Sequence, residues 1–344
     1  MNKKLMAAAV AGALAIPGVA FAQSSVTLYG TIDGGIRNQS KVQDGAGGDG
    51  TVTSATDGLY RTNRWGMKGS EDLGGGLKAN FKLEGQYSSD TGAAPGNFAR
   101  SAWVGLSSGA SDVHIGRDYT VNFKMLGKFD PMGYNYTGIM PNAAPFTAGV
   151  RSNNMIQAST GFNGAHVMLD YALGEAVGSS SAGRRFGLGA DFNVKGFTIA
   201  GAYSDTKDAT ATGSQKDITI GGSYSMNEFT FKLGYAQTKW DSTFAGATVD
   251  KARMMLLGVG YNFSSRLTGR IGYYDIKNTG IAAAADGKKK DTILAIDYDL
   301  SKRTTAYFEI DHHAMDGSLD GSKIDGRASN DGTTGIGVGI AHTF

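Results

Sequence analysis

LKANFKLEGQY, residues 77–87, decides the fold. Leu77, Ala79, Phe81, Leu83 and Tyr87 share one side of an extended chain, and Lys78, Asn80, Lys82, Glu84 and Gln86 share the other. Side chains alternate across a strand, so this period of two predicts a β-strand with one apolar and one polar face. A sheet covering a soluble core alternates in the same way, so the stretch alone does not say what its apolar face touches.

The pattern recurs along the chain. Val26, Leu28, Ile32 and Ile36 oppose Thr27, Tyr29, Thr31, Asp33 and Arg37, and Phe229, Phe231, Leu233 and Tyr235 oppose Thr230, Lys232 and Ala236. Leu294, Ile296, Tyr298 and Leu300 stand against Asp297 and Asp299, while residues 98–106 give no clean alternation. Residues 45–54, rich in Gly, Asp and Thr, read as an exposed loop, with a second strand over residues 60–69 and a tight turn over 71–76.

Spacing carries the next step. Short turns are expected near residues 71–76, 107–111, 161–164, 193–196, 226–227, 264–266 and 301–303. Long polar connections fall between them, near residues 40–57, 88–97, 117–150, 175–183, 205–215, 241–250, 278–290 and 316–333. Strict alternation of long and short leaves sixteen antiparallel strands, an even number that closes on itself with both termini on one side. A soluble sandwich has no reason to gather its long loops at one end, whereas a transmembrane β-barrel does. Lipid cannot satisfy an open sheet edge, so closure is required there. Phe162, Phe192, Phe197, Phe229, Phe263 and Tyr298 lie beside short turns, where an interfacial girdle would run. Sixteen strands leave a water-filled lumen.

The third long connection, residues 117–150, differs from the others. It holds Pro131, Pro141 and Pro145, three of the 5 prolines in the chain, together with Phe123, Met125, Leu126, Phe129, Met132, Tyr134, Tyr136, Ile139, Met140 and Phe146. That much apolar surface must pack against something, and an inward fold that narrows the pore is expected.

Compartment follows from the first residues. Lys3 and Lys4, an apolar run over residues 5–19 and Ala20-Phe21-Ala22 make residues 1–22 a cleavable signal peptide and residues 23–344 one barrel domain. Removing the leader leaves equal numbers of basic and acidic residues, which takes away the argument for a nucleic-acid partner. With 0 cysteines, no disulfide framework or thiolate metal site is available.

Several segments, in order, carry a family likeness: SVTLYGTIDG from Ser25, RWGMKGSEDLGGGL from Arg64, IGRDY from Ile115, DPMG from Asp130, LSKRT from Leu300 and the terminal Phe344. Together they resemble the general porins of β-proteobacterial outer membranes. The resemblance implies a homotrimer of sixteen-stranded barrels whose third loop enters the lumen. It also implies export through the periplasm, insertion by the barrel assembly machinery with Phe344 as the assembly signal, and contact with outer-membrane lipid and lipopolysaccharide. The family often carries Arg or Lys before its last Phe, and Thr343 stands there here.

Other chemistries fare poorly. Gly105-Leu-Ser-Ser-Gly109 matches the hydrolase nucleophile pattern, but the expected turn and strand around it offer no strand-to-helix elbow; Ser107 with His114 is the pair an outer-membrane lipase would need. Adjacent His312 and His313 in a strand point to opposite faces and cannot share one metal ion. No metal, cofactor or catalytic group is expected.

The expected function is passive diffusion of ions and small hydrophilic solutes. Arg37, Arg64, Lys68, Lys82 and Arg100 are expected to face the lumen, and Arg117, Asp118, Tyr119, Lys124, Lys128 and Asp130 to form the constriction. The basic excess predicts weak anion preference, with Lys124 and Lys128 contributing to it. A sugar-specific channel, using Tyr119, Phe123, Tyr134 and Tyr136 as an aromatic slide, is the alternative.

Overall fold

A computed structural model describes residues 25–46, 48–94, 96–136, 146–147, 149–320 and 322–344. The expected leader and the loop residues Ile139, Met140, Pro141 and Pro145 lie outside the described residues. In chain order the strands are β1 (Ser25–Gln43), β2 (Asp49–Asp57), β3 (Arg64–Gly74), β4 (Leu77–Gln86), β5 (Ser101–Ser108) and β6 (Ser111–Tyr119). A short helix, α1 (Val121–Leu126), follows. Then come β7 (Arg151–Phe162), β8 (Ala165–Ala172), β9 (Arg185–Val194), β10 (Phe197–Lys207), β11 (Ser214–Met226), β12 (Phe229–Trp240) and β13 (Val249–Asn262). The chain finishes with β14 (Leu267–Gly280), β15 (Gly287–Asp299), β16 (Thr304–Gly317), the small pair β17 (Lys323–Ile324) and β18 (Arg327–Ala328), and β19 (Gly332–Thr343).

Each strand pairs antiparallel with its neighbour, and β1 closes the ring against β19 from Thr31↔Thr343 to Gln39↔Gly335. On its other side β1 meets two partners in succession: residues 25–31 pair with β3 and residues 34–43 with β2. β2 and β3 are therefore one interrupted stave, and the closed barrel has sixteen. This corrects two expectations. Residues 49–57 form a strand rather than a loop, because TVTSAT offers β-branched residues at alternate positions while its polar chemistry suits an exposed rim. The second strand starts at Arg64 rather than near residue 60, because residues 58–63 leave the sheet.

Short turns use the residues that tolerate left-handed backbone. Asn163 and Gly164 (φ 47° and 82°) and Lys195 and Gly196 (φ 46° and 84°) place two successive positive φ values between strands, the twist-matched form of a two-residue hairpin. β5, ambiguous in sequence, breaks the alternation because the ring of Trp103 stacks on His114, a buried residue of β6, at 4.6 Å.

The alternation has an inside-out sense. Val104, Leu233, Ile199 and Ile36 are at least 60% exposed, whereas Asp33, Arg37, Asp170, Asp217, Glu309 and Asp311 are at most 1% exposed. Apolar side chains thus clad the outside and charged ones are enclosed, the arrangement lipid requires. One inner strip departs from that rule. Ala200, Ala202, Ala236, Ala252, Met254, Leu256, Ile276 and Ile293 on the inner wall are buried under Val121, Met125, Leu126, Phe129 and Met132 of the segment after β6. Burying that strip takes it out of water and holds the segment against the wall.

Candidate functional site

The segment after β6 starts at a capped helix. The Thr120 hydroxyl accepts from the Phe123 amide at 3.3 Å, and the Asp170 carboxylate of β8 accepts from the Val121 amide at 2.7 Å. An N-cap oxygen satisfies an amide that the first turn leaves unpaired. Beyond it, missing side chains on the wall define where the segment lies. A Cβ on Gly189 would come within 2.6 Å of Val121, and one on Gly234 within 2.3 Å of Phe129. Gly221 likewise leaves room for Phe129, Gly258 for Pro131, and Gly272 for Met132.

Polar groups fix the far end. Asp130 is 1% exposed; its carboxylate accepts from the Tyr274 hydroxyl at 2.8 Å and from the Tyr134 amide at 2.8 Å. The Asp130 carbonyl accepts from Lys232 Nζ at 2.7 Å. Burial pushes the Asp130 carboxyl above the usual carboxylate range, against the pull of those hydrogen bonds and of Lys232. Tyr136 donates to Asp297 on β15.

Beside the helix lies a cavity of about 360 Å³, lined by Arg61, Arg64, Arg100 and Arg151 with Tyr119, Phe123 and Tyr134. The rings form a stack, with centroids 5.0 Å apart for Tyr119 and Phe123 and 4.2 Å for Phe123 and Tyr134. The Arg151 guanidinium covers Tyr119 at 4.5 Å, a cation–π contact. Arg100 binds Glu84 at 2.7 Å and donates to the Tyr119 hydroxyl at 2.6 Å. Among the described residues no carboxylate lies within 4.0 Å of Arg61, Arg64 or Arg151. The cavity therefore carries a net positive charge.

The expected site residues divide. Arg64 and Arg100 line the cavity. Lys68 is exposed, its Nζ 5.5 Å from the Tyr29 ring, and Lys82 lies 3.3 Å from Glu84. Arg37 is not an open lumenal charge: it is fully buried, bidentate to Asp311 at 2.7 and 2.9 Å, with Glu309 at 3.7 Å. Arg117, Asp118 and Tyr119 belong to β6 rather than to the loop, because strand pairing with β7 continues to Tyr119↔Arg151. Arg117 is engaged by the Ala99 carbonyl at 2.7 Å and Asn153 at 2.5 Å, away from the cavity lining.

The two loop lysines are paired. Lys124 lies 2.8 Å from Asp118 and also meets Gln157, and Lys128 lies 3.5 Å from Asp191. Asp130 anchors the segment rather than facing a pore. Arg61 and Arg151 were missed. Arg151 opens β7 and was hidden at the end of the long connection, and Arg61 lies in the stretch expected to be strand. The lipase pair does not form: Ser107 accepts from Asn80 at 2.9 Å within a strand, and His114 faces Asp112 and Asp118. His312 is exposed, and His313 is buried between Asp291 and Asp311 at 2.6 and 2.7 Å.

Comparison with known proteins agrees with this architecture. The sequence profile of the Gram-negative porins matches residues 7–318. The chain is 31% identical to Outer membrane porin protein 32 of Delftia acidovorans over 367 residues, covering 100% of both chains. It is 28% identical to Major outer membrane protein P.IB of Neisseria meningitidis serogroup A, again covering 100% of both. Among solved structures, an anion-selective porin from Comamonas acidovorans superposes with a TM-score of 0.80 at 28% identity, covering 94% of this chain and 100% of that one. OmpT of Vibrio cholerae superposes at 0.72 with 12% identity, a likeness of fold. Inside-out barrel, sequence profile and full-length relatives agree, and the chain belongs to the Gram-negative porin family of the outer membrane.

Proposed function

We propose that this porin passes small hydrophilic solutes with a preference for anions, and that the described part of the third loop, residues 120–136, forms its constriction. The observation that carries the preference is the cavity of Arg61, Arg64, Arg100 and Arg151, of which only Arg100 is paired with a described carboxylate, Glu84, which it shares with Lys82. A fixed cluster of guanidiniums inside low-dielectric walls concentrates anions and repels cations. The anion selectivity named for the Comamonas relative supports the same reading. The family consists of channels, and diffusion needs no cofactor and no catalytic residue. We further infer residues 1–22 as a removable leader, a homotrimer seated among outer-membrane lipid and lipopolysaccharide, and delivery by the barrel assembly machinery.

The sugar-channel alternative is disfavoured by the ring stack, since Phe123 is sandwiched between Tyr119 and Tyr134 and offers no free face. Purified protein in planar bilayers under a KCl gradient tests the reading. An ohmic pore whose reversal potential has the sign of anion permeation, unblocked by maltose-type sugars, is expected. A cation-signed potential would reject the preference, and sugar block would favour the alternative.

A further inference from the structure

The geometry points to residues 58–63, an in-turned break in a barrel stave, as a second wall of the constriction. Within it Arg61 is a specificity-determining residue and Asp33 is the residue that positions it. This rests on the channel reading above.

The break starts at Gly58, whose φ of +76° turns the chain; a Cβ there would come within 2.5 Å of the Arg61 carbonyl. Leu59 and Tyr60 then point inward and are buried. Tyr60 lies 5.0 Å from the Tyr136 ring and 5.3 Å from the Tyr307 ring, and a Cβ on Gly337 would come within 2.3 Å of Leu59. Two buried side chains hold this turn. Asp33 of β1 accepts from the Tyr60 amide at 3.0 Å, the Arg61 amide at 2.5 Å and the Tyr307 hydroxyl at 2.6 Å. Asn63 accepts from the Asp33 amide at 2.5 Å, and its own amide nitrogen is 3.1 Å from the Asp33 carbonyl, 2.7 Å from Asp57 and 2.9 Å from Ser89. Successive backbone amides converging on a carboxylate fix the direction of the side chain that follows.

That side chain is Arg61. Its guanidinium lies 4.7 Å over the Tyr60 ring and donates to the Tyr60 hydroxyl at 3.2 Å, within the cavity it shares with Phe123 and Tyr134. The Tyr60 carbonyl also accepts from the Tyr136 amide at 3.2 Å, joining the break to the loop across from it. Unlike Arg64 and Arg151, which take their direction from strands, Arg61 depends on a turn that one carboxylate organises.

The sign of the effect makes this testable. Asp33 is an anion on the inner wall, so its removal by charge alone should favour anion passage. If Asp33 instead positions Arg61, Asp33→Ala should move the reversal potential toward cations, as Arg61→Gln does, and the double variant should shift no further than Arg61→Gln. Asn63→Ala should move it the same way, and Asp33→Asn, which keeps an acceptor oxygen, should recover part of the loss. Each is measured on purified full-length barrels in planar bilayers under a KCl gradient. No shift for Arg61→Gln, or a shift toward anions for Asp33→Ala, overturns the inference. These are differences from the parent channel, so they stand apart from the parent's own selectivity, whose failure would strike only the preceding reading. Should Asp33→Ala not assemble, Asn63→Ala and Asp33→Asn still decide it.

Discussion

Lys124 Nζ and the Asp118 carboxylate lie 2.8 Å apart, one in the last turn of the loop helix and the other on the strand the loop leaves. The lysine that sequence would give to the pore is thus spent on holding the helix to its own wall. Lys124→Gln with Lys128→Gln should therefore shift the reversal potential by less than half as much as Arg64→Gln with Arg151→Gln, measured in the same salt gradient. An equal or larger lysine effect would return the selectivity to the loop.

Phe129 is 0% exposed on an inner wall kept bare by Gly221 and Gly234. Burying a Phe of this kind is worth about 3–5 kcal/mol relative to Ala. Phe129→Ala and Gly234→Ala attack the same seat from opposite sides, the first by a void and the second by a clash. Both should change single-channel conductance and broaden its distribution; a sharp parental value in both would mean that the segment does not depend on this seat.

Arg37 is sealed between Asp311 and Glu309. Removing one partner of a buried ionic group leaves charge uncompensated, at a cost on the order of 3–5 kcal/mol. Arg37→Met should lower the heat-denaturation midpoint in detergent while moving ion selectivity little, which separates this arginine from those of the cavity.

Asp208, in the outer connection between β10 and β11, accepts from the amides of Thr210, Thr212 and Gly213 and reaches across to Ala245. Burial pushes its carboxyl up, but hydrogen bonds from Thr210, Ala245 and Thr212 outweigh that and hold it at about 2. A carboxyl depressed in the folded state contributes order above its unfolded value near 3.8 and loses it as pH falls through about 2. Pepsin should therefore cut residues 208–213 or 241–248 faster at pH 2 than at pH 4, and Asp208→Asn should remove most of the difference. Equal cutting in the parent at both values would contradict this.

Gly30 pairs with Phe344 through two backbone hydrogen bonds of 3.1 Å, and a Cβ on it would come within 2.3 Å of the Phe344 ring. Gly30→Val should weaken the β1–β19 seam, lowering the yield of folded barrel and its resistance to heat in gel mobility, whereas the same change at Gly34, which has open space, should not.

Strand parity in this chain was legible because lipid and water impose opposite demands on neighbouring side chains. It gave the outward-facing sets, while the spacing of short and long connections gave the sixteen-stave count. It failed where that demand lapses. TVTSAT in β2 stands in water on a rim and reads as loop, and Trp103 faces inward beside His114. The cavity was half legible: parity picked Arg64, which opens β3, and Arg100, which directly precedes β5, but Arg61 takes its direction from Asp33, and no local pattern encodes a partner 28 residues away. Counting charges also overstated Lys124, Lys128 and Arg37, because pairing across strands depends on register.

The seam between the first and last strands has a topological consequence. The ring of Phe344 on Gly30 fastens the last strand to the first, so the cylinder seals only where two segments more than three hundred positions apart in sequence meet. Without that joint the sheet would keep two unpaired margins, which lipid cannot satisfy.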